Sequence, residues 1–267
     1  MATRAEILEA LGLWPLWRQR PDFSSSSSSG TPVAEESVPA TLRSDGADDD
    51  DMRRARIAEL SWQAFAADVD GCTACELCRS RNKSVPGVGD KRAQWLFVGE
   101  APGAEEDAKG EPFVGQAGRL LDNMLAALDL ARGRNVYIAN VLKCRPPNNR
   151  MPTPLEAEAC RPYLDRQITL LAPKVIVALG KSAATTLLNV DASIASLRGR
   201  IHHYCGVPLV VTYHPAYLLR NLPDKAKAWE DLLLAVRAAG EGPHVVGIDG
   251  KRESTREADT SNRGMRR

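Results

Sequence analysis

The chain lacks any apolar run approaching the roughly 18 residues of a membrane-spanning helix, so no membrane partner is expected. Nothing between Met1 and Arg20 has the long apolar stretch or cleavage signal of a secretory leader, and a cytoplasmic protein is expected. A charge of one sign is also lacking: 35 Lys and Arg stand against 34 Asp and Glu, for a net charge of +1. No global basic field marks a nucleic-acid binder, although a local patch would suffice. Aromatics are scarce, 5% of the 267 residues with four Phe among them, so an aromatic in a polar loop calls for a reason. What is present is 43% hydrophobic residues, enough for one sizeable core, and six cysteines. In a cytosolic setting these point to a metal or a cluster and not to structural disulfides.

Composition divides the chain. Residues 1–20 hold a short amphipathic patch: Ile7, Leu8, Leu11, Leu13, Trp14, Leu16 and Trp17. "SSSSSSG" and an acidic run through Asp48–Asp51 follow. Such composition cannot bury a core, so 21–51 is expected to be a disordered linker. The polar stretch 241–267 is expected to be a disordered tail, which leaves 52–240 as the folded domain. The patch within 3–18 reads either as a tethered peptide for a protein partner or as a segment docked on its own domain. A monomer is expected.

Within 52–240 four nearly continuous apolar runs read as strands buried on both faces: Gln94–Val98, Val136–Asn140, Lys174–Leu179 and Leu209–Tyr213. Helical patterns alternate with them over Ala117–Leu130, Pro154–Ala172, Lys181–Leu188 and Lys227–Ala239. Thr153-Pro154 with a nearby acid is a helix start. The alternation predicts an α/β fold, a parallel sheet with helices on both faces. Ligands of such sheets sit at the carboxyl ends of the strands. Those ends carry GEAPG (Gly99–Gly103), Asn140, Gly180-Lys181 and His214-Pro215. Between Gly99 and Val114 lie three glycines, two prolines and five acids but a single lysine, Lys109. That is the wrong charge for a phosphate cradle.

Cys72-Thr-Ala-Cys75 is a C-x-x-C turn, and Cys78 follows at the same interval. Cys144 follows the second strand, and Cys160 lies early in a helix. Two thiolates from the turn and two from elsewhere make a four-cysteine centre. Spacing does not choose zinc over an iron–sulfur cluster, nor decide whether Cys78 is a ligand. Cys205 stands alone.

"GEAPGAEEDAKGEPFVGQAGRLL", "YIANVLKCRPPNNR" and "HPAYLLRN", in this order within about 70–240, resemble the family 4 uracil-DNA glycosylases. These are the iron–sulfur branch of the uracil-DNA glycosylase superfamily. The resemblance implies a three-layer α/β/α sandwich around a four-stranded parallel sheet. It implies a 4Fe-4S cluster on Cys72, Cys75, Cys144 and Cys160, with Cys78 and Cys205 left over. The implied activity is monofunctional removal of uracil from single- and double-stranded DNA, leaving an abasic site, in base excision repair of deaminated cytosine. The pocket loops offer no obvious lysine nucleophile, so no lyase step is expected.

The same resemblance implies roles. Phe113 would stack on uracil, Asn140 would read its O4 and N3–H, and His214 would stabilise negative charge at O2. Glu100 and Ala101 would line the pocket through their backbone. Ala101 stands where the best-known branch has an Asp that positions water, and Gly103 where that branch has a Tyr that excludes thymine. Glu106 matches the family carboxylate that fills this gap, whereas Glu105 and Asp107 read as solvated or capping. Leu218 or Leu219 would enter the space left by the flipped base, with Arg220 on a phosphate. Lys181 and Ser182 open a helix and would hold another phosphate. Lys143, Arg145 and Arg150 read as a basic surface facing DNA, or equally as solvated charges around a metal site. His202 and His203 read as structural. A related branch that links covalently to DNA through a histidine carries GEQPG and a His-bearing insertion after the second strand; this chain has neither.

Overall fold

The structure, a computed structural model, describes residues 45–240, with side chains from residue 49 onward. The chain divides into two units, 1–44 and 45–267, and every described residue belongs to the second. The Leu/Trp patch, the serine run and the polar tail lie outside the described residues.

The four expected strands are β2 (Trp95–Gly99), β3 (Val136–Asn140), β4 (Val175–Leu179) and β6 (Val207–Thr212). They pair parallel in the order β3-β2-β4-β6. The sheet is nevertheless mixed and six-stranded, not four-stranded. At one edge β1 (Val88–Gly89) runs antiparallel to β3, and at the other β5 (Ile201–Tyr204) runs antiparallel to β6. Neither has a continuous apolar run: β1 is two residues long, and β5 reads IHHY with no buried residue. The two-residue turn joining β5 to β6 places Cys205 at φ 48 and Gly206 at φ 78, the positive values a tight hairpin demands.

Alternation along the strands builds the layers. Leu96, Val98, Tyr137, Ala139, Ile176, Ala178, Leu209 and Val211 face one side. They bury α6 (Pro154–Leu171), α7 (Lys181–Leu188) and α8 (Ile194–Leu197). Trp95, Phe97, Val136, Ile138, Val175, Val177, Leu179 and Val210 face the other, under α5 (Gln116–Ala126) and α10 (Asp224–Ala238). Among the described residues no helix is long and apolar enough to cross a membrane.

The acidic run is not wholly linker. α1 spans Asp45–Ala58 and includes residues 45–51. Asp50 pairs with Arg53 and Arg54 at i+3 and i+4, and such pairs favour a helix. Ile57 packs with Tyr163 of α6 and with Phe65 and Val69 of α2 (Trp62–Asp70). α3 (Leu77–Ser80) follows α2 and carries Cys78. The start of α6 is as expected: Thr153 and Glu156 form a reciprocal capping box behind Pro154.

Candidate active site

β2 ends at Gly99, which pairs in register with Asn140 at the end of β3. Both follow the alternation of Phe97 and Ile138, on the face that also buries Phe113. A Cβ on Gly99 would lie 2.4 Å from Oδ1 of Asn140 and 2.8 Å from the Phe113 ring. Glycine is needed there because an amide and an aromatic close on it. Asn140 is only 2% exposed.

The loop after β2 is held by its acids. Glu106, on α4 (Ala104–Lys109), accepts from the Gly103 N–H at 3.0 Å through Oε2 and from the Val114 N–H at 3.1 Å through Oε1. One carboxylate thus clamps both ends of the loop. Asp107 is buried and not solvated, and it accepts from both the main chain and the side chain of Asn82, at 2.8 and 2.6 Å. Glu105 lies against Gly115, where a Cβ would come within 2.8 Å of its Oε1.

Phe113 sits at φ 55, a left-handed conformation that costs a non-glycine residue about 1 kcal/mol or more. Arg132 holds it there. Its guanidinium donates to the carbonyls of Pro112 at 2.9 Å and Phe113 at 2.5 Å, and to Asp122 at 2.6 Å. Arg132 was not a sequence candidate, because nothing local marks an arginine that acts on a loop 19 residues away.

His214 follows β6 and caps α9 (Pro215–Leu218), its Nδ1 accepting from the Ala216 N–H at 3.1 Å. Burial pulls its pKa down to about 4; Glu106 opposes that shift and Arg220 adds to it. The imidazole is therefore neutral near pH 7, with its proton on Nε2. Gly180, at φ 96, gives it room: a Cβ there would meet the His214 Cβ at 2.9 Å. The His214 and Phe113 rings stack with centroids 5.4 Å apart and planes at 27°.

The Glu100 carbonyl accepts from the Leu142 N–H at 3.0 Å, just past the end of the β2–β3 pairing, so its main chain is tied to the segment after β3. Its carboxyl is half-buried, raised in pKa by that burial, and hydrogen-bonded to Ser182 on α7. Ser182 thus meets a carboxyl group. Ala101 packs against Leu77, Leu142 and Cys144, between the loop and the cysteines.

The expected DNA rim divides. Leu218 is 1% exposed and packs with Tyr213 and Ala228, so it belongs to the core; Leu219 is 43% exposed. Arg220 is exposed and makes no ion pair among the described residues. Lys181 is exposed and lies 3.9 Å from the fully exposed Asp191. Lys143 is buried, 1% exposed, and cannot face DNA. Arg150 grips Glu156 with both guanidinium nitrogens, at 2.8 and 2.5 Å, and holds that carboxyl down to about 2. Arg145 donates to Asn149 at 2.7 Å. His202 bonds the Leu197 carbonyl, a structural role.

Cys72, Cys75, Cys78, Cys144 and Cys160 line one cavity with Val69, Ala74, Ala159, Lys143 and Tyr163. Cys78, read as left over, is on this wall, while Cys205 is exposed and off it, beside Asp165 of α6. Among the described residues no three metal-ligating side chains are gathered for a single ion; the thiols surround a space instead. Donors point at the sulfurs: Arg81 to Cys144 at 2.9 Å, the Lys143 N–H to Cys160 at 3.3 Å and Arg53 to Cys72 at 3.8 Å. Burial pushes the Cys160 thiol up to about 12, and a bound metal would favour its thiolate. Soft sulfur donors, apolar walls and surrounding donors fit a thiolate-bound metal group.

A family model described as the uracil DNA glycosylase superfamily matches residues 86–233. A type-4 uracil-DNA glycosylase of Archaeoglobus fulgidus is 47% identical over 60% of this chain and 83% of its own length. That of Thermotoga maritima is 48% identical over 60% and 83%. That of Sulfurisphaera tokodaii is 40% identical over 76% and 99%. The matched span holds all four parallel strands and the loops at their ends, and with these relatives it shows that the chain belongs to the uracil-DNA glycosylase superfamily, in its type-4 branch.

Proposed function

We propose that the protein removes uracil from DNA by hydrolysing the glycosidic bond of a flipped-out deoxyuridine. A base within the stack cannot be reached, so it must enter the site extruded. Phe113 covers its face, replacing part of the ring contact that Phe113 now makes with His214. The Asn140 amide offers a donor and an acceptor side by side, which match O4 and N3–H of uracil. Cytosine reverses that pattern and would leave buried groups unpaired.

The state of His214 carries the reading. A neutral imidazole whose Nδ1 already accepts from the main chain has one donor left, Nε2–H. Aimed at O2, it stabilises the negative charge that uracil takes as it leaves. Glu106 has both oxygens committed to main-chain amides and is a positioning residue. Glu100, half-buried between β2 and α7, is the carboxyl left to orient the water. Leu219 fills the vacated stack, with Arg220 and Lys181 on phosphates. Cys72, Cys75, Cys144 and Cys160 would hold a 4Fe-4S cluster. Bound there, it supplies metal–sulfur bonds that tie the α2–α3 turn, the loop after β3 and α6 together, and the hydrolysis draws no electron from it.

The test is incubation of the purified protein with a uracil-containing oligonucleotide, followed by alkali, alongside iron and sulfide analysis. Strand breaks at uracil are expected, lost in His214→Ala and Asn140→Ala with iron unchanged. Unchanged cleavage in both variants refutes the site; no cleavage by the parent protein refutes the function.

A further inference from the structure

Lys143 stands between the strand ends and the cysteines, and the reaction above makes no use of it. Its Nζ donates to the main-chain oxygen of Asn140 at 2.7 Å and to Oε1 of Gln167 at 2.6 Å. Gln167, on α6, is fully buried. Its Nε2 donates to the Pro86 carbonyl at 2.6 Å and to the Tyr137 hydroxyl at 3.3 Å. The Lys143 main chain is held as well, its N–H on Cys160 and its carbonyl accepting from the Val85 N–H at 2.8 Å.

Lys143 makes no ion pair among the described residues. A buried ammonium is costly unless anions offset it. Thiolates at Cys144 and Cys160, on the cavity that Lys143 lines, would do so from one side but leave its bonds to Asn140 and Gln167 unexplained. A methionine of similar length would fill the same space without a charge to offset. Packing alone therefore does not account for a lysine. What lysine adds is donors on a long stem. The main-chain oxygen they reach is that of the residue proposed to read the base.

We infer that Lys143 is a positioning residue for base recognition: it fastens the main chain of Asn140 to Gln167 and so sets the angle at which the Asn140 amide meets uracil. The inference rests on the reading of Asn140 given above. Beyond Asn140 the chain leaves β3 for the cysteine loop, and Lys143 is the brace across that turn. Without it the Asn140 carbonyl loses a donor, and the peptide that follows is held only from its other side, by the Val141 N–H on the Gly99 carbonyl. A misplacement of about 1 Å costs on the order of a hundredfold in rate.

The test is a double-mutant cycle on purified iron-containing protein, reading single-turnover uracil release from Lys143→Met, Asn140→Ala and the double variant. Lys143→Met alone should lower release about ten- to a hundredfold, and by less than about twofold once Asn140 is already alanine. Losses that multiply would overturn the inference, since a general loss of integrity acts whether or not Asn140 is present. Gln167→Met, outside the cysteine loop, should show the same dependence on Asn140, and it decides the matter if Lys143→Met loses iron. If both variants fail to fold, Lys143 is structural and the inference fails. An inactive parent protein refutes the proposed function; an active parent with multiplying losses refutes only the role of Lys143.

Discussion

Phe113 and His214 lie ring against ring, 5.4 Å between centroids. One belongs to the loop after β2 and the other to the end of β6, on opposite sides of β4. The group proposed to cover the base and the group proposed to polarise it are therefore set by each other. Anything that shifts the loop shifts the histidine's surroundings too.

The histidine's depressed pKa gives a signed pH prediction. Between its folded value of about 4 and the ordinary 6.5, the folded protein binds fewer protons than the unfolded chain. His214 therefore lowers stability progressively as pH falls through that window, and has no such effect above it. Uracil release should stay level from about pH 8 to about pH 5, with no break near 6.5. A break there would show an imidazole titrating as if in water.

Glu106→Gln tests clamp against chemistry. Glutamine keeps one acceptor but turns an N–H towards a main-chain N–H. Release should fall about tenfold or less, with a lower melting temperature and an unchanged shape of the pH–rate profile. A loss of a thousandfold, with the pH profile altered, would place Glu106 in the reaction itself.

Adjacent leucines should behave oppositely. Leu218→Ala should destabilise the fold by about 2–5 kcal/mol in denaturant titration, as buried leucines do. Leu219→Ala should leave stability within about 0.5 kcal/mol and slow release from double-stranded DNA more than from single strands. Equal effects on both substrates would remove the wedge role.

Two arginines should also separate. Arg220→Ala should reduce the salt dependence of DNA binding by about one phosphate contact. Arg150→Ala should leave that slope unchanged and lower the melting temperature, because its partner is Glu156. The reverse pattern would return Arg150 to the DNA surface.

Features that depend on neighbours in sequence were legible. Four strands buried on both faces read as continuous apolar runs, and the Thr153–Glu156 cap is complete within four residues. Asn140 and His214 stood out as candidates because strand ends are where such sheets place ligands. Arg132 was not found, since it acts on main-chain oxygens 19 and 20 residues away; Lys143 read as a surface charge, since its burial against Gln167 of α6 is made by the fold. Leu218 and Leu219 were indistinguishable because α9 is four residues long, too short to show a periodicity. The acidic run looked unfoldable because its support, Arg54 on Glu158 and Arg53 on the Ala159 carbonyl, lies across the chain.

Side chains alternate along β2 and β3, and Gly99 faces Asn140 in register. Deleting one residue from either strand would exchange the two sides of the sheet from that point on, carrying the amide away from Phe113. Over evolutionary time, lineages that keep this site can vary the length of their connecting loops. Their central strands can change only by substitution, residue for residue.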